Sequence, residues 1–257
     1  MKSLFNSKNL PVFSAGAGLI TLILRSALFL LGQDEKNLLI PGHPMAILVW
    51  TVTAAAVAVI LVSVWKLAGS SQYADNFAPS AAAAIGSFAL AGGIAVCAIL
   101  GTASALRLDM LCRIIGALAV PAIVWAGICR YLGKQAFFGL QAVVCVYLTL
   151  YAICHYQTWS SHPQIQDWFF SMAGIACLVL FSYYQTAFHV GLGKRRLQLL
   201  AGLLSSFFCI AAIAGGEDVL LYIGGALWAL TNLCSLTPVS RRRKNPITEK
   251  EVPDETA

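Results

Sequence analysis

The sequence is poor in charge. Asp, Glu, Lys and Arg make up 11% of its 257 residues and the mean hydropathy is +0.77, whereas a soluble domain carries about 25% charged residues. That deficit excludes an ordinary soluble domain and leaves an integral membrane protein. Residues 76–106, 135–166 and 197–216 contain no Asp, Glu, Lys or Arg, and each run reaches the ~20 residues that a spanning helix needs. Short Gly, Pro and polar breaks separate the runs. Transmembrane barrel strands would instead alternate in segments of ~10 residues, so the expected fold is all-α and polytopic.

Catalytic and metal signatures are also missing. The chain has no C-x-x-C, no G-x-S-x-G, no H-E-x-x-H and no P-loop, and it shows no pair of carboxylates within the apolar runs. Its eight cysteines lie inside or at the ends of apolar segments without zinc spacing and read as small apolar residues with free thiols. No enzyme chemistry, cofactor or metal is expected. No cleavage site follows an uninterrupted apolar core near the N-terminus, so the first apolar stretch is read as a retained span.

Eight spans are predicted, near residues 11–31, 45–65, 81–104, 109–130, 136–157, 165–188, 197–214 and 218–236. Together they form one membrane domain over 1–236, followed by a disordered tail over 237–257. Orientation follows from basic residues. Lys2, Lys8, Lys66, Arg130, Lys134, Lys194, Arg195, Arg196, Arg241, Arg242, Arg243, Lys244 and Lys250 fall on one side, 13 of the 17 Lys and Arg. Lys36 and Arg107 fall on the other, and Arg25 and Arg113 lie within spans. The positive-inside rule then predicts cytoplasmic N- and C-termini, in a bacterial plasma membrane. The net charge of +6 therefore marks topology rather than a nucleic-acid partner. The Arg241–Lys244 cluster follows the last span and is expected to attract anionic lipid.

Two matches suggest a parallel repeat of four helices plus four, with halves near 11–130 and 136–236. His43-Pro44 opens span 2 and His162-Pro163 opens span 6. Spans 4 and 8 begin DMLCRIIGALA from Asp109 and DVLLYIGGALW from Asp218, identical at six of eleven positions. Halves of four helices share orientation and usually form their site between them. The first proline of a helix is also an ordinary start. Span 3 places Ala89, Gly93, Cys97 and Gly101 at four-residue spacing, a stripe that lets another helix approach closely. Core packing within the chain is the expected use, and a homodimer contact is the alternative.

The polar residues inside the spans need an explanation. Arg25 sits in the run from Leu19 to Leu31, where an arginine in hydrocarbon costs ~2.5 kcal/mol or more. It shares a helix face with Ser14, Gly18 and Thr21 and lies ~9 Å from the outer end at 1.5 Å per residue. Arg113 is about one turn into span 4, and its repeat counterpart is Tyr222. Tyr147, Tyr151 and His155 stack along span 5, and span 6 offers Asp167. Two accounts stay open. In one, Arg25 pairs with Asp167 while Arg113 pairs with Asp109 or snorkels. In the other, Arg25, Arg113, Tyr147, Tyr151, His155, Asp167 and Tyr222 line an outward-facing vestibule for a small anion or carboxylate. Asp109, Asp167, Glu217 and Asp218 are otherwise read as helix N-terminal charges.

The expected function is a small-solute transporter or permease component. The alternative is a non-transporting anchor, sensor or assembly module, with quinone as a ligand. The eight-helix, four-plus-four layout is similar to the membrane anchors of bacterial polysulfide-reductase-type enzymes, in architecture and without a shared motif. Against a carrier, the inner half offers only neutral and dispersed Gln141, Gln185, Thr186 and Asn232.

Overall fold

A computed structural model describes residues 9–32, 39–40, 42–65, 71, 73–100, 107–160 and 168–237. The fold is all-α. In chain order the helices are α1 (Leu10–Leu31), α2 (Pro44–Trp65), the short α3 (Tyr73–Asn76), α4 (Ala81–Leu100), α5 (Arg107–Tyr131), α6 (Phe138–Trp159), α7 (Phe169–His189), α8 (Arg195–Ala212) and α9 (Val219–Cys234). Seven are long and apolar enough to cross a membrane, and the 16-residue α9 is the shorter eighth. This is a multi-pass membrane protein. The helix bounds match the predicted spans to within a few residues, and α3 is an addition that periodicity did not suggest. Asp167, His162-Pro163, Gly101, the Arg241–Lys244 cluster and the tail beyond 237 lie outside the described residues.

The helices pack as a ring with an outlying pair. The sequence of neighbours α4–α5–α6–α7–α8–α9 closes through a broad α4–α9 contact, and α1 and α2 lie outside against α8. Helix α8 is therefore the most enclosed span. It carries two runs of buried residues, from Ala201 to Leu203 and from Ser205 to Ala212. Tyr147, Tyr151, Phe181, Tyr222 and Trp228, each at most 1% exposed, fill the ring. The outer faces bear Ile47, Leu61, Ile114, Leu118 and Trp125, an apolar surface suited to lipid.

Small residues set the closest helix contacts. A Cβ on Gly93 would come within 2.7 Å of the Leu220 carbonyl, and one on Gly224 within 2.6 Å of the Ala89 carbonyl. The stripe on span 3 is thus used inside the chain, against α9. Its Ala89, Gly93 and Cys97 allow two backbones to touch, which is how helices associate when lipid removes the hydrophobic drive. A contact between copies through the same face would first have to displace α9.

The two matched halves have different neighbours. Helix α2 packs on α1 and α8, while α7 packs on α6 and α8 and α9 packs on α4 as well as α8. The paired sequence starts differ too. Asp109 pairs with the exposed Arg113 on its own helix, whereas Asp218 reaches across to α6 and α4 and Tyr222 is buried in the ring. His43 acts as a cap, its Nδ1 accepting the Met45 N–H at 3.3 Å.

Two arginines from the basic side of the topology are buried rather than solvated. Arg195 donates to Asn76 Oδ1 at 2.7 Å and to the Thr237 carbonyl at 2.7 Å. Arg130 donates to Ser235 Oγ at 3.0 Å and lies over the Phe77 ring, 4.4 Å from its centroid. Phe77 also bridges to Leu236. These contacts clamp α3 and the start of the chain's C-terminal segment across one end of the bundle. We call this the basic end, because Lys134, Lys194 and Arg196 also lie there. Asp109, Glu217 and Asp218 lie at the opposite end.

Candidate functional site

Helix α9 opens with an unusual residue. Asp218 has φ 47° and ψ 32°, the one positive-φ residue other than glycine among those described. Aspartate tolerates this left-handed conformation better than most residues. The preceding Gly216, at φ 75°, allows the chain to turn sharply after the 3₁₀ turn Ile213–Gly215. The Asp218 carbonyl accepts the Leu221 and Tyr222 N–H groups, but its carboxylate makes no capping bond to α9. Asp218 thus stands at the N-terminus of α9 as expected, but without a side-chain capping bond, because this backbone turn aims the side chain at α6 and α4.

Two donors and an imidazole converge on that carboxylate. The Tyr151 hydroxyl donates to Oδ2, Cys97 Sγ lies 3.6 Å from Oδ1, and His155 Nε2 lies 3.4 Å from Oδ2. They come from α6 and α4, so one carboxylate ties three helices together in the half of the bundle opposite the basic end. A hydrogen bond to a charged group contributes about 1.5–3 kcal/mol. The neighbouring Glu217 accepts the Trp159 indole N–H at 3.3 Å.

The rings of α6 form a column. Centroid separations are 6.0 Å for Tyr147–Tyr151, 4.2 Å for Tyr151–His155 and 4.8 Å for His155–Trp159, and Trp159 stacks on Trp168 at 5.2 Å. The four-residue spacing seen in the sequence produces this column directly, since residues four apart lie above one another on a helix. Tyr222 faces the column from α9. Its hydroxyl is buried without a hydrogen bond of ordinary geometry, and Ser171 of α7 is its neighbour.

The predicted residues therefore separate into three places. Tyr147, Tyr151, His155 and Tyr222 come together around Asp218. Arg25 lies against α7 and α8: it is 3% exposed, it donates to the Ala211 carbonyl at 2.6 Å, and its guanidinium lies 4.3 Å from the Phe170 centroid. Ala211 is in the last turn of α8, where carbonyls lack helical partners and a cation is favoured. Arg113 is on the surface, its Nε 3.1 Å from Asp109 Oδ2. Asp167 lies outside the described residues. Sequence reasoning missed Asp218 as the centre, although the Gly-Gly-Glu-Asp stretch before α9 signals a tight turn.

Two of the polar residues towards the basic end are less dispersed than their spacing suggested. Gln185 Nε2 donates to Asn232 Oδ1 at 3.3 Å between α7 and α9. Ser182 on α7 and Gln141 on α6 are buried as well. Among the described residues, no group of three or more His, Cys, Asp and Glu is placed to hold a metal ion. Comparison with protein families, characterised proteins and solved structures gives no match.

Proposed function

We propose that this membrane protein is a small-solute transporter or permease component whose outer polar site is centred on Asp218, with Tyr151, His155, Cys97 and Tyr222 around it. The single observation that carries this reading is the convergence of donors from two helices on one carboxylate. Ionisable groups inside a membrane are costly and generally mark substrate or proton pathways. A carboxylate beside an imidazole and a phenol can exchange a proton among them, and the ring faces of Tyr147 and Tyr151 favour a cationic solute. The two-arginine anion vestibule is a weaker form of the reading, because Arg25 and Arg113 sit at separate places with separate acceptors.

The buried Gln185–Asn232 pair supports the same reading by supplying polar groups towards the basic end. We place both termini in the cytoplasm of a bacterial plasma membrane, on the distribution of Lys and Arg, with the Arg241–Lys244 cluster at anionic lipid. The sequence matches between spans 2 and 6 and between spans 4 and 8 support a duplicated origin. A partner subunit would use a face other than the one that α9 covers.

Close packing around Tyr151 and Tyr222, each 1% exposed, favours a second reading: a non-transporting membrane module. One experiment separates the two. Protein reconstituted in vesicles with an internal pH dye is given an external acid step, alone and with choline or acetate. The carrier reading expects internal acidification faster than in empty vesicles and lost in Asp218→Asn. If wild type and Asp218→Asn match empty vesicles throughout, the non-transporting module stands.

A further inference from the structure

A groove of about 780 Å³ lies at the basic end, between the last turns of α2 and the first turns of α8. Its two parts differ in chemistry. Leu61, Val64, Trp65, Leu197 and Leu200 make an apolar wall, and Lys194 and Arg196 stand at its mouth. Both basic residues are exposed, and so is Trp65 at 80%. An aromatic residue at this level is typical of the membrane–water boundary.

The charge here opposes the helix. Lys194, Arg195 and Arg196 occupy the N-cap and first two positions of α8, with no acidic residue in the first turn and no side-chain cap. A helix N-terminus already carries a partial positive charge and favours anions. Arg195 is turned away, its guanidinium held by the neutral oxygens of Asn76 and Thr237. Both partners are neutral, and among the described residues no carboxylate pairs with Arg195. The mouth of the groove thus combines two exposed cations, a buried third and the amides of a helix start, next to a wall suited to an acyl chain.

We propose that this groove binds one anionic phospholipid, with its phosphate at Lys194 and Arg196 and one acyl chain along Leu61, Leu197 and Leu200. The proposal rests on the chain being a membrane protein and is independent of any transport. The same end gathers the basic residues that face anionic lipid by the positive-inside rule.

The test uses the full chain in micelles, followed by native mass spectrometry with added phosphatidylglycerol or phosphatidylcholine. Phosphatidylglycerol is expected to be retained preferentially. Lys194→Gln/Arg196→Gln is expected to lose about 30-fold in its retention, from roughly 1 kcal/mol per basic residue. Lys134→Gln, at the same end but outside the groove, is expected to keep it. Thermal unfolding in phosphatidylcholine establishes that the variants are folded. A second arm reads chain placement: brominated phosphatidylglycerol is expected to quench more fluorescence than brominated phosphatidylcholine, with the excess abolished by Trp65→Phe. Glycerol phosphate is expected to leave retention unchanged; competition by it would mark a free-anion site and overturn the lipid assignment. Equal retention of the two lipids, or an equal loss in Lys134→Gln, would also overturn the proposal.

Discussion

His155 Nε2 lies 3.4 Å from the Asp218 oxygen that also accepts the Tyr151 hydroxyl. A base on α6 and an acid at the start of α9 are therefore held together by a residue whose own backbone is left-handed. Two constraints act on Asp218 at once. Its side chain accepts from the buried Tyr151 and Cys97, and its backbone must tolerate φ 47°.

The first prediction separates those constraints. Asp218→Asn keeps an acceptor and a residue type that tolerates the left-handed region. Asp218→Ala loses both, leaving the buried Tyr151 hydroxyl unpaired at about 1–3 kcal/mol with backbone strain of about 1–2 kcal/mol in addition. Thermal unfolding in a lipid-like medium is expected to rank wild type, Asp218→Asn, Asp218→Ala in falling order. Equal melting of the two variants would mean that the acceptor contributes nothing.

Arg25 is expected to behave as a cap for α8. Arg25→Ala removes a charged bond to the Ala211 carbonyl and the stacking on Phe170, and a loss of about 1.5–3 kcal/mol follows. Arg25→Lys keeps the cation near the helix C-terminus but loses the planar stacking, so it is expected to fall between the two. Hydrogen exchange in residues 209–216 is the direct measurement, and it is expected to rise most in Arg25→Ala.

The α4–α9 contact predicts opposite results at adjacent glycines. Gly93→Ala would force a Cβ to 2.7 Å from a backbone carbonyl and 2.8 Å from the Leu221 Cα, an overpacking cost of about 1–3 kcal/mol. Gly92→Ala meets nothing within 4 Å and is expected to be neutral or to stabilise by up to about 1 kcal/mol through helix propensity. Melting temperatures of the pair decide whether these backbones touch.

At the basic end, Arg195→Met removes the bonds to Asn76 and the Thr237 carbonyl. The expected outcome is faster hydrogen exchange and proteolysis over residues 73–80, with α4 and α9 unchanged. An unaltered pattern would show that α3 is held chiefly by Phe77 and Arg130.

Much of this protein was legible in its sequence because lipid removes choices. Backbone groups in hydrocarbon must all be paired, which leaves helices or closed barrels; charge-free runs of ~20 residues without ~10-residue alternation leave helices, and their lengths and bounds followed. The spacing of Tyr147, Tyr151 and His155 gave the column, and the spacing of Gly93 and Cys97 gave the close contact. Which helix lies beside which was not in that code. Apolar helix faces are nearly interchangeable to lipid, and only tertiary packing seats α9 on the α4 stripe and encloses α8. The same packing gives Arg25 a carbonyl of α8, leaves Arg113 on the surface and buries Arg130 and Arg195. It also brings the Asp218 carboxylate to Tyr151, Cys97 and His155, because the turn before α9 directs a side chain across space in a way that no periodicity records.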